Sequence, residues 1–290
     1  MKERRLLMKY AVTAATGNFG LLAVNYLSKL VDQKDIIVIA RNKQKAQQLF
    51  PDFEIRKGNY DSVEEMTDAL KGIDRVLFIS SQPGGPVERS VQHQNVVSAL
   101  QKNHVSFVAY TSFANAQSSK TALAADHKLT ENLIEEADMP HSFLRNNWYL
   151  ENEAGFFESG KTSQKAIYWA GNKAGWALER EYAEAAAKVL TSENPQAIYE
   201  FSGKSVTYEV LGEALNKVLA QPCDVAQVSK QEYTFDLENQ GLDSQTAALY
   251  ASFQDPIDNG SLNENSSDLP NVLGRELTTL SDGIKEILSK

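Results

Sequence analysis

The first half of the chain alternates without a break between short apolar or β-branched runs and amphipathic stretches. The runs are KYAVTA, DIIVIAR (35–41), DFEIRKG (52–58), DRVLFISS (74–81), VSFVAYTS (105–112) and HSFLRNNW (141–148). Between them lie segments of helical period. Phe19, Ala23, Leu27 and Leu30 line one face of the first, and VERSVQHQNVVSALQKN (87–103) is another. Short strands separated by helices need crossover connections, which are right-handed and leave the strands parallel. A parallel sheet of this kind is covered by helices on both faces. The alternation predicts a Rossmann-type, doubly wound α/β core over residues 1–150.

Beyond residue 150 the rhythm loosens. EREYAEAAAKVLTS (179–192) reads as a helix, AIYEFSG (197–203) as a strand, and TYEVLGEALNKVLA (207–220) as a helix capped by Thr207. A polar, mostly helical stretch and the loop DPIDNGSLNENSSDLPN (255–271) follow. Residues 151–290 are expected to form a smaller α/β lobe packed on the core. Doubly wound folds bind ligands beyond the C-terminal strand ends, so a lobe there would wall a substrate pocket.

Bulk chemistry narrows the function classes. A net charge of −9 with scattered basic residues argues against phosphate-backbone binding, so nucleic acid is not expected as a partner. No run reaches the roughly 18 apolar residues of a membrane helix, and MKERRLLMKYAV lacks the apolar stretch of a signal peptide. A cytoplasmic protein is expected, with Met8 a candidate functional start directly before the first strand. The single Cys223 excludes an internal disulfide and any multi-cysteine metal site. The four histidines (His93, His104, His127 and His141) have no metal-ligand spacing, and no metal is expected.

TAATGNFG (13–20) falls between the first strand and the first helix. At a helix N-terminus, free backbone N–H groups and the positive end of the dipole favour a pyrophosphate. Gly17 would let the backbone approach the phosphates, and Gly20 would let the helix pack closely on the strand. Ala14 occupies the position of the first glycine, where a Cβ is comfortable only at negative φ. Thr16, Asn18 and Phe19 complete the candidate cradle. Arg41 ends the second strand, where an NAD-binding chain would present a carboxylate to the ribose. An arginine there suits a 2′-phosphate and favours NADP(H) over NAD(H). Lys43 and Lys45 either assist or form a solvated helix start. Asp61 is a candidate for the adenine end and equally an N-cap. Ser80 and Ser81 end the fourth strand, where the nicotinamide half should run.

The usual proton-transfer pair of short-chain dehydrogenases is a tyrosine with a lysine four residues later, which lowers the phenol pKa. None of the eleven tyrosines has a lysine at that spacing, and neither GxSxG nor HExxH occurs. Hydride transfer to an acceptor that is already electrophilic, such as a quinone, fits a chain without that donor.

Together TAATGNFG, IARNKQKA, FISS, YTS, DHKLTENLI, LRNNWYLEN and LGRELTTLSDGI resemble the NmrA-like atypical short-chain dehydrogenases, most closely the type 2 NAD(P)H:quinone oxidoreductases. The resemblance spans nearly the whole chain. It implies flavin-free reduction of quinones with NADP(H) held by residues 14–19 and Arg41. It also implies a nicotinamide and substrate region near Ser80, Ser81, Thr111 and Asn146 to Tyr149. Anchored on Glu131, it sets His127 in the slot of the lysine and Leu123 in that of the tyrosine. His127 and Asn146 are then the candidate catalytic residues, His127 bonding a ribose hydroxyl and Asn146 orienting the nicotinamide amide or a quinone oxygen. Trp148 and Tyr149 either stack on the substrate ring or belong to the core, and YWAGNKAG (168–175) is either a flap or an ordinary turn. Relatives tend to carry arginine and aspartate near Glu179 and Glu181, so contacts from that helix are not carried over.

The group also contains NADP(H)-binding regulators without turnover. A non-catalytic redox sensor acting through a protein partner is the competing expectation. A reductase of phenolic ethers would need a catalytic lysine, and Lys128 points about 100° away from His127 on a helix. Association into a homodimer is left open.

Overall fold

The computed structural model describes residues 8–82 and 84–289. The basic start of the chain (1–7), on which the reading of the N-terminus partly fell, lies outside the described residues. The chain forms two compact units. The first comprises residues up to Gln117, with Ala122–Asn146 and Arg180–Tyr199; the second comprises Ser118–Thr121, Asn147–Glu179 and the chain from Glu200 onward.

The elements of the first half follow the alternation of the sequence: β1 (Tyr10–Val12), α1 (Asn18–Leu27), β2 (Ile36–Ala40), α2 (Lys43–Leu49), β3 (Glu54–Lys57), α3 (Val63–Ala69), β4 (Arg75–Phe78), α4 (Arg89–Lys102), β5 (Phe107–Phe113), α5 (Ala122–Glu136) and β6 (His141–Asn146). After these come α6 (Ala154–Ser163), β7 (Lys165–Tyr168), α7 (Glu179–Thr191), β8 (Ile198–Phe201), α8 (Tyr208–Asn216), β9 (Asp224–Gln227), α9 (Lys230–Asn239), α10 (Ser244–Ser252), α11 (Asp255–Asp258), α12 (Asp268–Leu273) and α13 (Leu280–Leu288).

Seven strands form one sheet in the order β3-β2-β1-β4-β5-β6-β8. The pairs β1–β2, β1–β4, β2–β3, β4–β5 and β5–β6 are parallel, with Tyr10 opposite both Ile36 and Arg75. β2 is buried throughout, as is β5. Continuous apolar strands such as IIVIA are what a sheet covered on both faces demands. Ile37, Ile39, Val76, Phe78, Val108 and Phe143 meet in one core cluster. Each such side chain contributes about 1.5–3 kcal/mol on full burial. The strand order reverses where β1 lies between β2 and β4, which is the topological switch point of a doubly wound sheet.

Several local features depart from the sequence reading. Thr207 sits at the N-cap of α8, but its side chain makes no capping hydrogen bond. The stretch read as a loop over 255–271 contains the one-turn α11 and the start of α12. β7 and β9 pair as a separate two-stranded parallel sheet in the second unit, and β9 falls within a stretch read as mostly helical. Residues 169–174 are tied down: Trp169 and Ala170 donate their N–H groups to Gln254 Oε1, Gly171 donates to Asp258 Oδ1, and Ala174 exchanges backbone bonds with Val206. Among the described residues no helix is long and apolar enough to cross a membrane.

Candidate active site

The glycine turn follows β1 at the switch point. Thr13 ties β1 to β4, its hydroxyl donating to the Leu77 carbonyl and accepting from the Ile79 N–H. The chain then turns at Ala14, whose φ is +47°. This is the left-handed region that the sequence reading held uncomfortable for a Cβ, and the alanine occupies it. Its carbonyl accepts from the Gly17 N–H at 3.1 Å, closing the turn.

The two glycines differ in what they do. A Cβ on Gly20 would lie 2.6 Å from the Ala14 oxygen and from Ala15 Cα, so glycine is needed there for helix–strand packing. Gly17 has φ −81°, ordinary for any residue, and a Cβ there would come no nearer to the surrounding protein than 3.5 Å. The fold does not call for glycine at this position. What glycine keeps open is the approach to the first turn of α1, which has no side-chain cap and no acidic residue. An uncapped, open helix N-terminus fits a phosphate. Gly17 and Asn18 are exposed, Ala14 and Thr16 half-buried, and Phe19 and Gly20 buried.

Arg41 directly follows β2 and is exposed, and it makes no hydrogen bond or ion pair with a described residue. Lys43 and Lys45 beside it are also exposed, and the Asn42 side chain caps α2. Asp61 does not cap a helix. Ser62 caps α3, while Asp61 accepts from Asn59 Nδ2 and from Gln92 Nε2 at 2.7 Å.

At the ends of β4 and β5 the predicted residues converge. Ser80 donates its N–H to Thr111 Oγ1 at 2.9 Å, and the two hydroxyls lie 3.3 Å apart. Ser81 donates its N–H to His93 Nε2 at 3.0 Å and accepts at its carbonyl from Arg89 Nε at 2.7 Å. His93 and Arg89 were not singled out in the sequence. Their spacing of four on α4 puts them on one helix face with Val96, Val97 and Leu100, all buried. That polar pair on a buried face was the available signal.

His127 lies on α5 and is buried, only 7% exposed. Its Nε2 faces Arg89 Nη2 at 3.0 Å and its Nδ1 faces the Tyr110 hydroxyl at 2.9 Å. A guanidinium can only donate, so Nε2 is the acceptor, the ring is neutral and Nδ1 carries the proton. His93 follows the same logic. Ser81 N–H donates to Nε2, and Thr130 spends its hydroxyl hydrogen on the Asp126 carbonyl, so His93 Nδ1–H donates to Thr130 Oγ1 at 2.7 Å. Burial and the Arg89 charge push His93 down to about 3 and hold His127 well below the ordinary histidine value, the latter helped by His93. Burial raises the Tyr110 phenol. The network therefore stays neutral, apart from Arg89, across the physiological range.

α5 is anchored by Glu131, fully buried, which takes a bidentate pair from Arg145 on β6 (2.9 and 2.8 Å) and further bonds from Ser112 and Gln117. Leu123 is half-buried, and Lys128 is exposed with its Nζ on the Gln117 carbonyl. Asn146 ends β6, buried, and its carbonyl accepts from the Ala114 N–H.

In the second unit, Asn147 is buried and accepts at Oδ1 from the N–H groups of Trp148 and Gly175. Trp148 and Tyr149 are half-buried. The Trp148 indole donates to Glu153 Oε1 at 3.0 Å. Among the described residues no group of three or more His, Cys, Asp or Glu could hold a metal ion.

An NAD(P)H-binding family matches residues 14–177, more than half of the chain and including the glycine turn. The chain belongs to the NAD(P)H-binding family. Within it the chain is an NmrA-like, atypical short-chain dehydrogenase by its likeness to curated and solved members. It is 31% identical over 283 residues to quinone oxidoreductase 2 of Escherichia coli K12, covering 96% of this chain and 98% of that protein. The solved NADPH complex of the E. coli NADPH-dependent quinone oxidoreductase superposes with a TM-score of 0.90 at 30% identity, covering 96% and 99% of the two chains. Triphenylmethane reductase of Citrobacter sp. superposes equally well, with a TM-score of 0.90 at 32% identity over 98% of this chain and 100% of the other. In doubly wound sheets ligands bind beyond the C-terminal strand ends, and in this chain Gly17, Arg41 and Ser80 follow β1, β2 and β4 there.

Proposed function

We propose that this NAD(P)H-binding chain is an NADPH-dependent quinone reductase that works by direct hydride transfer without flavin. The observation that carries the reading is the whole-length likeness to E. coli quinone oxidoreductase 2, a protein solved with NADPH. The residues fit that cofactor. Gly17 leaves the α1 N-terminus open to a pyrophosphate, and Arg41 offers a guanidinium unspent among the described residues to a 2′-phosphate, favouring NADP(H) over NAD(H). Thr16, Asn18 and Phe19 line the turn, Ala14 and Gly20 shape it, and Asp61 serves the adenine end.

When bound, the reduced nicotinamide supplies the hydride. The chain positions it. Ser80, Ser81 and Thr111 hold the β4 and β5 ends in one hydrogen-bonded frame, and His127 keeps Arg89 and Tyr110 in place behind them. Asn146 orients the carboxamide or the acceptor oxygen with a side chain that both donates and accepts. Trp148 and Tyr149 stack on the acceptor ring. Conversion of a quinone to a hydroquinone takes one hydride and one proton, and the proton comes from solvent in a site whose histidines are held neutral. We place the enzyme in the cytoplasm and assign it no nucleic-acid, membrane, flavin or metal partner; a homodimer is the assembly to test first.

A second acceptor class has its own support. A triphenylmethane dye is a carbocation and accepts hydride with no proton at all, and the Citrobacter reductase is as similar in fold and identity. Purified protein with NADPH or NADH against small benzoquinones and a triphenylmethane dye separates these readings. Loss of nicotinamide absorbance with benzoquinones above a protein-free blank is expected. Turnover of the dye alone would replace the quinone by a cationic acceptor. NADPH binding without turnover of either would turn the reading to an NADP(H) sensor acting through a protein partner.

A further inference from the structure

Among the described residues of the second unit, Glu153 is the one buried carboxylate around which aromatic donors gather. It ends a 3-10 turn, Leu150–Glu153, and is 6% exposed. Its Oε1 accepts from the indole N–H groups of both Trp148 (3.0 Å) and Trp176 (3.2 Å), and its Oε2 accepts from the Tyr208 hydroxyl (2.9 Å). These donors come from the segment after β6, the segment before α7 and the first residue of α8. The Tyr208 ring is itself held, stacked on Tyr168 at 4.8 Å and edge-on to Trp176 at 5.2 Å.

No ion pair balances this carboxyl among the described residues. The groups that feel its charge are two phenols, Tyr208 on α8 and Tyr233 on α9. Burial raises both, Tyr233 to about 12, so neither ionises near neutrality. Of the charged residues on α6 and α13, Glu158 pairs with Lys161, and Asp282 accepts from the Thr279 hydroxyl. Burial pushes Glu153 up to about 7 against the pull of its three hydrogen bonds.

The donor set admits both protonation states. With the carboxyl protonated, Oε1 still accepts from both indoles while Oε2–H donates to the Tyr208 oxygen, whose hydrogen turns away. With the carboxyl ionised, all three bonds become charge-assisted and about twice as strong. We infer that Glu153 is a positioning residue for the acceptor, whose carboxyl sets the Trp148 indole and grips it more firmly when ionised than when protonated. This rests on the proposal that Trp148 stacks on the acceptor. Its consequence is an acceptor KM that rises as pH falls through the neutral range, with kcat little changed.

The test compares wild type, Glu153→Gln and Tyr208→Phe. Glutamine reproduces the protonated state, accepting from both indoles and donating to Tyr208. Wild-type quinone KM should rise about fivefold between pH 8 and pH 6, while Glu153→Gln stays near the high value throughout. Tyr208→Phe removes one bond that favours the charged form, so its midpoint should move to higher pH. Tryptophan fluorescence of the protein without acceptor is followed over the same range. An emission change that titrates in wild type, is absent in Glu153→Gln and is displaced upward in Tyr208→Phe supports the inference independently of turnover. Superimposable emission and KM profiles for wild type and Glu153→Gln overturn it. Absence of quinone turnover at every pH overturns the quinone reading and the acceptor role of Trp148 with it, whereas the emission titration reports on the grip alone.

Discussion

Arg89 Nη2 donates to His127 Nε2 across 3.0 Å in a buried site. Because guanidinium has no acceptor, this one bond fixes the tautomer of the imidazole and, through Nδ1–H, its bond to Tyr110. Replacing His127 by alanine strands a buried guanidinium N–H and a buried phenol together. The expected cost is about 2–5 kcal/mol of unfolding free energy, read by urea denaturation. A loss below about 0.5 kcal/mol would mean that the network is not formed in solution.

The turn at Ala14 gives a second prediction. An alanine at φ +47° carries the left-handed penalty of about 1–2 kcal/mol, which glycine lacks. Glycine also makes the unfolded chain more flexible, which offsets part of the gain. Ala14→Gly should stabilise the apo protein by about 0.5–1 kcal/mol and tighten NADPH binding, measured by thermal unfolding and by titration. A destabilised variant would show that the Ala14 backbone relaxes out of the left-handed region.

Arg41 is expected to separate the two dinucleotides. Exposed and without a partner among the described residues, it contributes little to folding, so Arg41→Ala should unfold within about 0.5 kcal/mol of wild type. Loss of a charge-assisted bond to a 2′-phosphate is worth about 1.5–3 kcal/mol, or roughly 10- to 150-fold in NADPH affinity, with NADH nearly unaffected. Equal weakening of both cofactors would remove Arg41 from the 2′-phosphate.

The elements most legible in the sequence are those whose information is local. β1, β2, β4 and β5 are marked by contiguous apolar runs, and the helix between Gly17 and Leu27 by its period and glycine turn. Less legible were features made by distant segments. Glu153 gathers Trp148, Trp176 and Tyr208 from positions up to 55 residues away, and no spacing rule connects them. His127 was placed on its helix by a motif, but its burial follows from Arg89 and Tyr110, which reach it from α4 and β5. β7 and β9 escaped because a two-stranded pair of four-residue segments, one of them flanked by polar residues, carries almost no periodic signal. The positive φ of Ala14 is a property of the folded turn that no residue type in the sequence specifies.

Titration of the buried groups sets the pH dependence of stability, and the two kinds oppose one another. His93 and His127 resist protonation in the folded state, His93 down to about 3, so the unfolded chain binds protons first as pH falls below about 6.5. His93 then removes about 1.4 kcal/mol of stability per pH unit, and His127 acts in the same direction. Glu153 acts with the other sign. Its folded value lies near 7 against 4.5 for an ordinary glutamate, so the folded chain binds the proton more tightly. Its contribution is present below about pH 4.5, is lost as pH rises towards 7, and amounts to about 3 kcal/mol over that window. In wild type the carboxyl therefore opposes the acid lability of the two histidines between pH 6.5 and pH 4.5. Glu153→Gln removes the offset. Urea denaturation from pH 8 to pH 4.5 should show the variant gaining on wild type by about 3 kcal/mol at the alkaline end relative to the acid end. Parallel stability curves for the two proteins would mean that Glu153 ionises at the same pH folded and unfolded, and that its three donors fully compensate its burial.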